Sequence, residues 1–152
     1  WFVYASNKAL ALSQYSLGLI YLRGGGMHGD YTRAYEWFLR AAEQGQPDSQ
    51  TALGMMHHFG YGVEQDFDQA IAWYTKADTQ GNAAAALFLG DIYAVGGPPI
   101  ADREKALIWY QKAIEYGLQA PGGIHADFLG AFANMAVMYE KSGKEEDEAK
   151  AF

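Results

Sequence analysis

The sequence predicts an all-α fold, a solenoid of antiparallel helix pairs, and three observations carry that prediction. The chain repeats every 36 residues: Trp37, Trp73 and Trp109 keep this step, as do Ala34, Ala70 and Ala106 and Gly45, Gly81 and Gly117. A fixed period in the range of roughly 20–50 residues marks a repeat array. Each period holds two stretches of helical apolar spacing, separated by a glycine-rich segment that ends in aspartate. Half of the 152 residues are hydrophobic, enough to build a core and too many for a disordered chain.

The elements follow in order along a single domain. Residues 1–9 match the end of a second helix, because "WFVYA" aligns with "WFLRA" at 37–41. Unit one is 10–45, unit two 46–81, unit three with an insertion 82–127, and a partial unit four 128–152. The first helices carry "SQYSLGLIYLRG", "SQTALGMMHHFG" and "AALFLGDIYAVG". Leu17, Leu53 and Leu89 share one register, and so do Gly18, Gly54 and Gly90. A glycine inside a helix costs about 1 kcal/mol against alanine. Its recurrence at one position implies a neighbouring helix too close for a methyl group. Asp30, Asp66 and Asp102 precede the second helices, where a carboxylate accepts from free first-turn amides and complements the dipole. Gly45, Gly81 and Gly117 read as C-terminal caps. "NMAVMYEKSG" continues the pattern only if Tyr139 matches Tyr93, a step of 46, so about ten residues are inserted around "LQAPGGIHAD". The adjacent aromatic pairs Trp37-Phe38, Trp73-Tyr74 and Trp109-Tyr110 are packing positions used once per unit.

These residues resemble the Sel1-like repeat family, relatives of the tetratricopeptide repeats. Its pattern is Ala-x-x-x-Leu-Gly-x-x-Tyr-x-x-Gly-x-Gly-Val-x-x-Asp, then Ala-x-x-Trp-Tyr-x-Lys-Ala-Ala-x-x-Gly. Unit two supplies "ALGMMHHFGYGVEQDFDQAIAWYTKADTQGN" almost without a break. His57 in place of Tyr, "GGPP" in unit three and the insertion depart from it. The resemblance implies a right-handed superhelix acting as an adaptor for protein complexes, often in signalling or at bacterial envelopes and the periplasm. It implies no reaction. Some relatives staple each unit with a disulfide, and this chain has no cysteine to do so.

Composition narrows the partners. A net charge of −7 argues against nucleic acid and against an anionic membrane surface. No apolar run approaches the roughly 20 residues of a spanning helix. The chain starts at Trp1 and reads as an excised piece of a longer protein. The residue types that carry chemistry find no partners in sequence. His57 and His58 are adjacent, so on a helix they point about 100° apart and cannot grip one metal. His57 reads as a half-buried packing residue and His58 as an exposed groove residue. His28 and His125 have no ligand spacing. "GGGMHGD" lacks the Lys-Ser/Thr of a phosphate loop, "DFDQA" lacks the rest of a calcium loop, and the acidic run "KEEDEAK" suits a helix start. No cofactor or metal is expected.

Binding is expected where the first helices line the inner surface of the stack. Helix geometry leaves one free face per unit: Leu12, Tyr15, Leu19, Leu22 and Arg23; Asp48, Thr51, Met55, His58 and Phe59; Ala84, Leu87, Asp91, Ala94 and Val95; Gly130, Ala133, Val137, Glu140 and Lys141. These side chains change from unit to unit while the framework does not. Tyr15, Leu19, Arg23, Met55, His58, Phe59 and Asp91 are the expected contacts. The sequence therefore reads as a non-catalytic interaction scaffold that takes a partner peptide or helix in its concave groove. The alternatives are a fragment of, or regulatory domain on, an enzyme such as a hydrolase, and a plain structural spacer.

Overall fold

The computed structural model describes residues 2–24, 29–96, 100–119 and 129–150, with side chains for 6–24, 29–96, 100–119 and 130–140. His28, His125, the Pro121-Gly122-Gly123 stretch and the side chains of Lys141 and the acidic run lie outside the described residues. Among the described residues seven helices follow one another: α1 (Phe2–Arg23), α2 (Tyr31–Glu43), α3 (Pro47–Phe59), α4 (Phe67–Asp78), α5 (Ala83–Val95), α6 (Arg103–Gln119) and α7 (Leu129–Lys150). Among the described residues there is no strand. Each helix packs on the next, so α1, α3, α5 and α7 form one layer and α2, α4 and α6 the other.

The aspartate that closes each turn makes the same bonds in all three units. The Asp30, Asp66 and Asp102 carboxylates accept from the amides of Arg33, Gln69 and Lys105 at 2.9, 3.0 and 3.0 Å. Their own amides donate across the helix pair to the carbonyls of Tyr21, His57 and Tyr93 at 2.9, 2.9 and 2.8 Å. One residue thus caps the second helix and ties it to the first. Between units the chain reverses at Gly45 and Gly81, whose φ of +83° and +77° is the left-handed region that favours glycine. Gln46 and Asn82 then cap the next helix through their side chains.

Two expected boundaries differ, and for one reason. Residues 2–9, matched in sequence to a preceding second helix, run unbroken into α1. Ala9 and Leu10 stand where Gly45-Gln46 and Gly81-Asn82 stand later, so neither the left-handed residue nor the polar cap is present. Gly117 is likewise not a cap. It is buried inside α6, which continues to Gln119, because Leu118 occupies the place of the capping Gln46 and Asn82.

The helical glycines explain the interior. A methyl group added at Gly18, Gly54 or Gly90 would meet the ring of Phe38, Tyr74 or Tyr110 at 2.5 Å. Each ring lies flat in the slot that its glycine leaves. Phe38, Tyr74 and Tyr110 are almost wholly buried, worth about 1.5–3 kcal/mol apiece. The tryptophans are only half-buried. Trp73 packs back on the core of Phe38, Leu53 and Met56, and Trp109 on that of Tyr74, Leu89 and Ile92. A cation one turn on covers each indole: Arg40 lies 4.8 Å from the Trp37 ring centroid, Lys76 4.1 Å from Trp73 and Lys112 4.8 Å from Trp109. The second aromatic therefore fills the glycine slot of its own unit and packs on the unit after it, while Trp73 and Trp109 pack on cores shared between their own unit and the one before.

The fourth unit holds the same register. Ala131, Met135 and Met138 pack against Ala106 and Tyr110 as Ala85, Leu89 and Ile92 pack against Ala70 and Tyr74. The step is 46, which matches Tyr139 to Tyr93. At the N-terminal side Leu17 and Ile20 are 36% and 62% exposed, whereas their counterparts Leu53 and Met56 are buried. No described second helix precedes α1 to cover them.

Candidate interaction groove

The layer of first helices carries two neighbouring clefts. The smaller, about 420 Å³, lies between α1, α3 and α5. Tyr15, Leu19 and Leu22 come from α1, Asp48, Thr51 and Met55 from α3, and Ala84 and Phe88 from α5, with Tyr31 and Tyr61 at one end. The larger, about 640 Å³, lies between α3, α5 and α7. His58, Phe59, Asp91, Tyr93, Ala94, Val95, Tyr110, Asn134, Val137 and Met138 line it, and Ala101, Asp102 and Arg103 close one side. An aromatic ridge joins the two: Tyr31 stacks on Tyr61 at 5.5 Å, Tyr61 meets Phe59 at 5.6 Å, and Phe59 meets Phe88 at 6.4 Å. Tyr31, Phe59 and Tyr61 remain exposed.

Of the seven residues expected to make contacts, Tyr15, Leu19 and Met55 line the smaller cleft and His58, Phe59 and Asp91 the larger. Arg23 lines neither. It is exposed at the last turn of α1, though its charge reaches Tyr15. Leu12, Leu87, Gly130, Ala133 and Glu140 also lie outside both clefts.

His58 is corrected. It is not an exposed groove residue, being only 7% exposed. It stacks on Phe59 at 4.3 Å and meets the edges of Phe67, Tyr74 and Phe88. Its Nδ1 lies 3.4 Å from the Tyr74 hydroxyl. Burial lowers the imidazole pKa, partly opposed by the charge of Asp91. His57 is half-buried as expected, with Nε2 at 3.4 Å from the Tyr35 hydroxyl, and burial lowers it too.

Asp91 gathers the polar groups of the larger cleft. Its Oδ1 accepts from the Tyr110 hydroxyl at 2.7 Å and from the Asn134 amide at 3.2 Å. Burial raises its pKa, although these hydrogen bonds and the charge of His58 pull it down. The Tyr110 phenol is raised in turn, by burial first and then by Asp91. Among the described residues that line the smaller cleft Asp48 is the single charged side chain, and it accepts from the Asn82 amide at 2.9 Å. Among the described residues that line the larger cleft there is no serine, threonine, cysteine or lysine. Among the described residues no group of three or more His, Asp or Glu is placed to hold a metal. No described helix is long and apolar enough to cross a membrane.

The family model described as Sel1 repeat matches residues 11–46, 47–82, 83–117 and 131–152. The chain belongs to the Sel1 repeat family. Among solved structures it is similar to c5321, described as a protective antigen of uropathogenic Escherichia coli strains displaying an SLR fold. That match is 31% identical with a TM-score of 0.64, and it covers 86% of this chain and 30% of the antigen. It is also similar to a Sel1 repeat protein from Oxalobacter formigenes, at 34% identity and a TM-score of 0.60, covering 76% of this chain and 89% of that one. The chain thus spans under a third of the antigen's length. No curated protein matches it. Sel1 repeat proteins are in general protein-interaction scaffolds, and the family is typically non-catalytic.

The Sel1 repeat frame also explains the cleft residues that helical spacing missed. Tyr74 and Tyr110 are framework residues of second helices, yet each ring passes through a glycine slot and its hydroxyl emerges among first-helix side chains. Tyr74 reaches His58, four residues after Gly54, and Tyr110 reaches Asp91, next to Gly90. Phe38 fills the equivalent slot without a hydroxyl. Tyr31, Tyr61, Tyr93, Arg103 and Asn134 were not expected in the clefts either. The glycine-to-tyrosine step of 20 residues was the available signal for Tyr74 and Tyr110.

Proposed function

We propose that this Sel1 repeat segment binds an extended or helical segment of a partner protein along the two clefts, without catalysing a reaction. One observation carries the reading. The two clefts adjoin across an exposed aromatic ridge, and their lining varies between units while the packing frame repeats. Monomeric proteins seldom leave large apolar patches wet unless something covers them, and aromatics and Met are favoured at contacts. Phe59, at 46% exposed, and Val137, at 50% exposed, stand on this surface. A reading as a plain spacer calls instead for a polar, featureless face.

The test is selection of random displayed peptides against the whole chain, followed by measurement of one selected peptide on a Val137→Trp variant. Val137 is half exposed, so the larger side chain enters the cleft and not the core. The expected result is enrichment of a common apolar pattern and at least tenfold weaker binding by the variant, a hot-spot-sized loss. Selection that yields no common pattern, or binding that ignores Val137→Trp, contradicts the reading.

A further inference from the structure

The larger cleft contains a carboxylate that its own surroundings leave under-compensated. Asp91 shares the cleft lining with the apolar side chains of Phe59, Ala94, Val95 and Val137, with Asp102 and Arg103 at one side. Both hydrogen bonds that it accepts fall on Oδ1. Among the described residues Asp91 has no ion pair, in contrast to Asp30, Asp78 and Asp102, which pair with Arg33, Lys112 and Lys105. Among the described residues the groups whose charge acts on it include no lysine or arginine. Arg103, on the far side of the cleft, gives its guanidinium to the main-chain carbonyl of Met138. Burial outweighs the help from Tyr110, Asn134 and His58, so the ionised form is held at a cost. The smaller cleft also carries a carboxylate, the exposed Asp48, and the whole chain carries a charge of −7.

We propose that the larger cleft selects partner segments carrying a basic side chain: an apolar stretch lies against Phe59, Val95 and Val137, and one Lys or Arg reaches the Asp91 carboxylate. This rests on the groove reading above and specifies its partner. The long apolar stem of Lys or Arg covers the hydrophobic wall while its charged head meets Oδ2, the oxygen that takes no hydrogen bond from the described residues. Tyr110 and Asn134, fixed on Oδ1, hold the carboxylate in place for that contact. An acidic segment would meet Asp91 and Asp48 as like charges, and a wholly apolar one would leave Asp91 desolvated without a partner.

The experiment takes a peptide selected on the whole chain and compares it with a version in which its basic residue is replaced by norleucine. Norleucine keeps the apolar stem and loses the charge. On the unaltered chain the norleucine peptide is expected to bind about 10-fold more weakly, the scale of a charge-assisted hydrogen bond. The difference should shrink as salt is raised. On Asp91→Asn, whose side-chain oxygen still accepts from Tyr110, the two peptides are expected to bind alike. A thermal melt checks that this variant is folded, and if it is not, the peptide pair and its salt dependence on the unaltered chain decide the matter alone. Selected peptides without a basic bias, equal affinities on the unaltered chain, or a difference that survives in a folded Asp91→Asn would overturn this inference and leave the groove reading intact. Selected peptides indifferent to Val137→Trp would overturn both.

Discussion

Gly54→Ala sets two effects of known size against each other. In an unobstructed helix the change gains about 1 kcal/mol. Here the new Cβ would stand 2.5 Å from Cδ1 and Cε1 of Tyr74, about 1 Å inside ordinary contact at 3.4–4 Å. Tyr74 has nowhere to go. It is fully buried, stacked on Phe88 at 5.3 Å, and set edge-on to His58 at 6.2 Å. Overpacking a core of this kind costs about 1–3 kcal/mol, and a ring fixed on three sides places the cost at the upper end. The net expectation is a loss of about 1.5 kcal/mol, or a Tm lower by roughly 3–6 °C for a chain of this size. Gly130→Ala is the control, because it lies in α7 with nothing within 4 Å of the added methyl. It should leave Tm unchanged or raise it, by up to about 1 kcal/mol in stability. Melting curves of both variants decide. A Gly54→Ala protein that melts at or above the parent would refute the account of why glycine recurs at this position.

Other consequences follow from the same packing. Tyr74→Ala should cost about 3–5 kcal/mol, and Trp73→Ala less, about 1–2 kcal/mol, because its indole is half exposed and capped by Lys76; chemical denaturation orders the two. Lys112→Met strands Asp78, which is 5% exposed and held by Lys112 at 2.6 Å, so unfolding in urea should show a loss of about 1–3 kcal/mol. The buried His58 and half-buried His57 give a pH dependence. With folded-state pKa values of His57 and His58 below their ordinary value of about 6.5, the unfolded chain takes up protons first. Their contribution to stability is full above about pH 6.5 and falls as pH drops from there through the folded-state values. Asp91, whose pKa is raised, works the other way at lower pH, gaining stability as it protonates. Urea midpoints at about pH 7.5 and about pH 5.5 should differ less in His58→Gln than in the parent.

The frame was legible because steric needs repeat in the sequence. Gly18, Gly54 and Gly90 could be read as close-contact positions, and the capping role of Asp30, Asp66 and Asp102 followed from their place before a helix. What the sequence did not disclose is where a side chain ends after leaving its own helix. His58 lies on the inner face by spacing, yet Phe59, Phe67, Tyr74 and Phe88 from three helices close around it. The Trp-Tyr pair reads as one packing feature, but the rings divide the labour between neighbouring units. Gly117 matches its counterparts and still fails to end a helix, since the cap depends equally on the residue after it. Arg23 shows the limit of helical spacing: its counterparts Phe59 and Val95 line the larger cleft, as Leu22 beside it lines the smaller, yet Arg23 lines neither.

The central claim is that the first-helix face receives the partner. It is tested most directly by placing a photo-crosslinking amino acid at Phe59, on the ridge between the clefts, and separately at Ile108, which is 63% exposed on the second-helix layer. Each variant is irradiated with the same selected peptide. The account predicts an adduct from position 59, suppressed by excess unlabelled peptide, and none from position 108. An adduct formed at position 108 and not at 59 would contradict it.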